Sequence, residues 1–269
     1  MARTDTLGNF LTDVADAIKI KKGDDTPILA SEFDTEITNL PSGGSSQDWT
    51  QLGYTEEPPS IKAGLDYAKE IKQNWDATKT STFGKYTNNK DLFYFPNVDM
   101  SNVTNAQNMF QSCVKLEYFD EINPNSNCNM KYMFNLGNTE NTKLFGNRIY
   151  IANNKYNEFV FSSIGTLELN EVIITASSNR GQNIFDSITN LKIKKITDNY
   201  TKRDKQLLNL CGMDDDTIRV FLNYFKTLTT QDSDKKTLKF LGFTSANCNK
   251  AVLLDEWQDL VGAGWTTGY

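Results

Sequence analysis

A unit that returns every 24 residues constrains this chain more than any other feature. Leu92-Phe93-Tyr94-Phe95 recurs as Leu116-Glu117-Tyr118-Phe119, Met109-Phe110 as Met133-Phe134, and Asn105 as Asn129. The beat continues downstream. Val160-Phe161 stands 27 residues after Met133-Phe134, Ile184-Phe185 follows 24 later, and Leu167-Glu168-Leu169 is answered 24 residues on by Leu191-Lys192-Ile193. A period of about 20–29 residues with a short apolar alternation in each unit points to a solenoid of leucine-rich-repeat type. One such unit cannot bury its own apolar face, so each is stabilised by stacking on the next. The expected fold is α/β: a leucine-rich-repeat-like solenoid of short strands and helices, preceded by a small two-helix N-terminal module.

Within residues 91–200 each unit reads as a loop-helix turn ending in a Met-Phe-like pair, followed by a short strand. Met109, Phe110, Met133, Phe134, Phe161 and Phe185 form the repeat core, with the four phenylalanines expected as an internal ladder. Alternate strand residues point away from the core. Phe93, Glu117, Glu168, Lys192 and Lys239 are therefore expected in a row on an outward strand face. That row is read equally as solvated surface or as a binding face.

The flanks have their own patterns. In residues 1–40, Leu7, Phe10, Leu11, Val14 and Ile18 keep helical spacing, and Phe33, Ile37 and Leu40 line a second short helix. So small a module buries little by itself, and its stripes call for a partner surface. Residues 41–48 begin Pro-Ser-Gly-Gly-Ser-Ser and read as a flexible linker. Residues 49–90 read as the N-terminal cap, with a helix from Ser60 carrying Ile61, Leu65, Ala68, Ile71 and Trp75 on one side. Residues 201–269 read as a C-terminal repeat and cap. There Ile218 to Leu228 form a helix, Thr237 to Gly242 a last strand, and Leu253 to Val261 a closing helix. Asp214-Asp215-Asp216 lacks the spacing of a calcium loop and reads as helix capping.

Composition narrows the chemistry. The chain has no histidine, which removes Ser-His-Asp and Cys-His catalysis and the usual zinc and non-haem iron ligand sets. Its four cysteines are widely spaced and suit buried thiols better than a metal site or a disulfide framework. No catalytic residue, metal ligand or cofactor is expected. A net charge of −6 argues against nucleic acid or an anionic membrane as partner. No apolar run reaches the length of a membrane span, and Met1-Ala2-Arg3-Thr4-Asp5 opens no secretory signal.

The stretch Val98-Asp99-Met100-Ser101-Asn102-Val103-Thr104-Asn105, continued by Met109-Phe110-Gln111-Ser112-Cys113-Val114-Lys115-Leu116, resembles the BspA-type leucine-rich repeat of bacterial surface proteins and bacteriophage virion proteins. Leu11-Thr12-Asp13-Val14-Ala15-Asp16-Ala17-Ile18, then Phe33 to Leu40, resembles the short N-terminal module of phage tail and minor structural proteins. The ending from Thr237 resembles the tails of the same group. The resemblance implies a virion component assembled in the host cytoplasm: a fibre, spike or decoration subunit. Residues 1–40 would join other virion proteins or self-associate, a trimer being favoured, and the repeat domain would face a host surface glycan or protein. The alternatives are a glycan-degrading fibre enzyme and a bacterial surface adhesin.

Overall fold

The coils are set by their corners. Gly84, Asn108, Tyr132, Phe159 and Asn183 all have left-handed backbone, with φ between 48° and 58°. They are spaced 24, 24, 27 and 24 residues apart. A non-glycine residue gives up about 1–2 kcal/mol in this region and stays there only where its surroundings fix it. Hydrogen bonds between coils do so here. The amide of Asn108 donates to Lys131 O, that of Tyr132 to Glu158 O, that of Phe159 to Asn183 O and that of Asn183 to Gln206 O.

The computed structural model describes residues 59–152, 157–175, 182–198 and 201–269. They belong to the unit Pro59–Tyr269. The two-helix reading of residues 1–40, with its stripe from Leu7 to Leu40, and the linker that follows lie outside the described residues.

Between the corners the chain runs in strands: β1 (Tyr94–Phe95), β2 (Tyr118–Ile122), β3 (Phe134–Ile151), β4 (Phe161–Ile174), β5 (Phe185–Ile193), β6 (Ile196–Asp198) and β7 (Leu208–Asn209). All pair in parallel in the order β1-β2-β3-β4-β5-β7, with β6 on β4. The result is a β-solenoid of about four turns with a few helices. Two sequence expectations are corrected. Phe134, Phe161 and Phe185 begin strands instead of ending helical turns, and β3 and β4 are long, at 18 and 14 residues. No helix occurs among the described residues between Trp75 and Met213. Spacing explains this: coils bonded as strands repeat every ~4.8 Å, while a helix needs ~10 Å.

The core is a column of rings. Tyr86, Phe110, Phe134, Phe161 and Phe185 stack in succession at 5.7, 4.8, 4.9 and 5.6 Å, with interplanar angles of 5–23°. Leu208, the register partner of Phe185, ends the column. Met109 and Met133 are also fully buried. The coil from Phe134 to Phe161 is longer than its neighbours. Its extra residues are absorbed by register shifts between Asn135 and Lys143.

Helices close both ends. Before the first coil, α1 (Pro59–Gln73) buries Ala68 and Ile71. Trp75, just after it, meets Phe95 edge-on at 6.0 Å and donates its indole N–H to Asp99 O. After the last coil come α2 (Asp215–Lys226), α3 (Leu238–Leu241), α4 (Ser245–Ala251) and α5 (Asp255–Gly262). Asp214 is the N-cap of α2, its carboxylate accepting from Thr217 N, with Asp215 and Asp216 in the positive first turn. The strand expected over 237–242 is a short helix. The Thr237 hydroxyl accepts from Phe240 N, and Gly242 closes the turn at φ 100°, so local capping outweighs the apolar alternation.

A buried polar cluster ties this cap to the last coil. Arg203 is fully buried with Nη1 3.6 Å from Asp198 Oδ2, and the same oxygen accepts from the Tyr224 hydroxyl at 2.7 Å. Gln231 bonds both to the N–H and to the carbonyl of Arg203. Such a pair is costly to break on one side only, because that leaves a charge buried without its counter-ion.

Candidate functional site: the outward sheet face

Because alternate strand residues leave the core, stacked coils line up their outward side chains along the solenoid axis. One row is fixed by register: Tyr94 pairs with Tyr118, Tyr118 with Phe145, Phe145 with Glu168 and Glu168 with Lys192. All five are half-buried. The Tyr94 and Tyr118 rings lie 5.2 Å apart, and the Tyr94 hydroxyl donates to the Asp120 carboxylate. Burial, then the bond to Asp120, raises the Tyr94 phenol well above its ordinary range. Tyr118 is pushed up to about 12, mainly by burial and then by the Asp120 charge.

A second row is charged. Glu121 pairs with Arg148 and Arg148 with Glu171. Arg148 Nε lies 2.8 Å from Glu171 and its Nη1 3.4 Å from Glu121. Lys195 Nζ reaches Glu171 at 2.7 Å, and the Thr197 hydroxyl donates to the same carboxylate. Glu171 is held below its usual value by the Lys195 hydrogen bond first and by the Arg148 bond as well. Lys194 lies 3.5 Å from Glu168. An aromatic row and a laced row of opposite charges are thus both outward on the same strands, on either side of the point where Asp120-Glu121 and Asn147-Arg148 break the alternation.

The residues expected from sequence in an outward row fall in different places. Glu168 and Lys192 stand in it as register partners. Phe93 and Glu117 are corrected to the positions immediately before β1 and β2. The carbonyl of Phe93 accepts from Glu117 N and Tyr118 N, and its side chain presses on α1, where a Cβ on Gly64 would lie 2.7 Å from Phe93 Cβ. The Glu117 side chain reaches the surface, but desolvation at its carboxyl raises it against the pull of Lys143. The cause is the register shift inside β3. Matching the Leu-Glu pairs by sequence sets Glu117 beside Glu168, whereas the coils pair Tyr118, Phe145 and Glu168. Lys239 is corrected too: it lies on α3, with its ammonium 4.7 Å from the Tyr269 ring centre. Tyr94 and Tyr118 recur at the 24-residue spacing, but that spacing alone does not mark them as outward. Phe145 and Arg148 carry no repeat signal.

The four cysteines are free and buried. No three His, Cys, Asp or Glu side chains gather as a metal site among the described residues. No helix among them is long and apolar enough to cross a membrane. In comparisons with known proteins, the chain matches no family model, no curated protein and no solved structure.

Proposed function

We propose that this chain is a non-enzymatic display module, a fibre, spike or decoration subunit of a phage particle whose solenoid presents its outward sheet face to a host surface. The observation that carries the reading is the register row Tyr94-Tyr118-Phe145-Glu168-Lys192 beside the Glu121-Arg148-Glu171 row. Aromatic and arginine side chains held on rigid elements are the groups that dominate recognition surfaces. The virion placement, the BspA-type repeat class and the docking of residues 1–40 rest on sequence resemblance. The absence of histidine and the pairing of the charged row into ion pairs favour binding over catalysis.

The test is binding of labelled full-length chain to host cells, together with its detection in purified particles. Tyr118→Ala and the exchange Glu168→Lys with Lys192→Glu should each weaken cell binding without lowering the unfolding free energy by more than about 1 kcal/mol. Wild-type chain that does not bind cells, or variants that bind as wild type does, would remove the outward face from the reading. Absence of the chain from purified particles would remove the virion role.

A further inference from the structure

Pro124 ends β2. It has no N–H for the ladder and restrains Asn123 before it. The last residue of β2, Ile122, pairs with Ile149, while β3 runs on to Ile151. The earlier coil therefore peels away over residues 123–126, and a hollow of about 230 Å3 opens between that loop and the end of β3. Asn123, Asn125, Ser126, Ser101, Tyr150 and Thr175 line it. Tyr150 lies two residues beyond Arg148 on β3, so the hollow continues the outward face at its far end.

We propose that this hollow takes one ring of a neutral saccharide, an inference that rests on the adhesion reading and names its ligand class. No carboxylate, ammonium or guanidinium lines it, so nothing there selects for net charge. Its amides and hydroxyls offer both donors and acceptors, which is what a ring bearing several hydroxyls requires. Part of the wall is already fixed. Asn125 donates to Ser101 O and accepts from Asn127 N, and Thr175 Oγ1 donates to Ile151 O at 2.7 Å. Asn123 and Ser126 are exposed at the rim, and half-buried Tyr150 supplies an apolar ring surface with a polar tip. The volume is below the ~300 Å3 at which sites for drug-sized ligands begin, so it suits one ring and not a buried chain.

Saturation-transfer NMR on the full-length chain tests this with three probes: the α-1,4 and β-1,4 glucose tetramers and the N-acetylglucosamine tetramer, each at about 5 mM. At least one should receive saturation. Tyr150→Ala and Ser126→Trp should each weaken that binding at least about ten-fold, with the thermal midpoint unchanged. Tyr150→Phe should retain most of it. No transfer to any probe, or equal binding by Tyr150→Ala and Ser126→Trp, overturns the assignment. Cell binding that persists without saccharide binding sinks the hollow and spares the adhesion reading. Saccharide binding without cell binding does the reverse.

Discussion

The ring of Phe119 occupies the space that a side chain at Gly146 would need. The two are register partners on β2 and β3, and a Cβ at Gly146 would fall within the Phe119 ring. Glycine is required there for room, since its φ is not left-handed. Phe119 also stacks on Phe134 at 5.0 Å, so the ring has little freedom to yield. Gly146→Ala should therefore destabilise by about 1–3 kcal/mol, read from urea denaturation. Adding Phe119→Leu should recover part of the loss, and an unchanged midpoint in Gly146→Ala would show that the ring moves aside freely.

The phenylalanine column makes a stronger demand. Phe110 and Phe134 are fully buried, and each has a ring above and below it. Removing either leaves a cavity between coils whose spacing is held by backbone hydrogen bonds and cannot close. Phe110→Ala and Phe134→Ala should each cost about 3–5 kcal/mol. A loss under about 1 kcal/mol in denaturant titrations would mean the column contributes little to stability.

Much of this architecture was legible because a solenoid repeats its burial. The Met-Phe pairs and the Leu-x-Leu segments carry the 24-residue beat, and the same residues are inward in the coils. What was not legible has particular causes. The slip between Asn135 and Lys143 shifts one coil against the next, so Glu117 and Glu168 share a sequence position without sharing a register. The left-handed corners at Tyr132 and Phe159 carry no glycine to announce them; they are set by amides bonded to the next coil. Thr237 to Gly242 has the apolar content of a strand, but its two ends carry helix caps. The hollow beside Tyr150 depends on β3 outrunning β2, which only Pro124 hints at.

The thiols give the fold a defined response to alkali. Burial pushes Cys113 and Cys248 up to about 11 and Cys128 and Cys211 up to about 12. An acid whose pKa is raised on folding keeps its proton longer in the folded chain than in the unfolded one. The stability it contributes is complete below the unfolded value near 9 and is lost as pH rises from there to the folded value. Each thiol adds a slope of at most about 1.4 kcal/mol per pH unit in that window. Urea midpoints should fall between pH 9 and 11, and less steeply in Cys128→Ala. At pH 8 the thiols should react with a disulfide reagent only after denaturation. Prompt labelling of the folded chain would contradict their burial.

The last prediction concerns attachment. If residues 1–40 form the two helices that their sequence spacing suggests, they carry two apolar stripes, Leu7-Phe10-Leu11-Val14-Ile18 and Phe33-Ile37-Leu40, on too short a segment to bury both. Residues 59–269 have their own core, closed at one end by α1 and at the other by α2 to α5. Deleting residues 1–40 should leave a cooperatively unfolding, monomeric remainder by sedimentation. That remainder should fail to join particles and should keep any binding that belongs to the outward face. Replacing Phe10 and Val14 with Asp in the full chain should have the same effect, because a carboxylate in a desolvated helix interface is costly by several kcal/mol. The two variants fail differently if the idea is wrong. A truncated chain that still enters particles would move the anchor into the solenoid. An Asp-substituted chain that still enters, while the truncated one does not, would mean the module attaches through its polar faces.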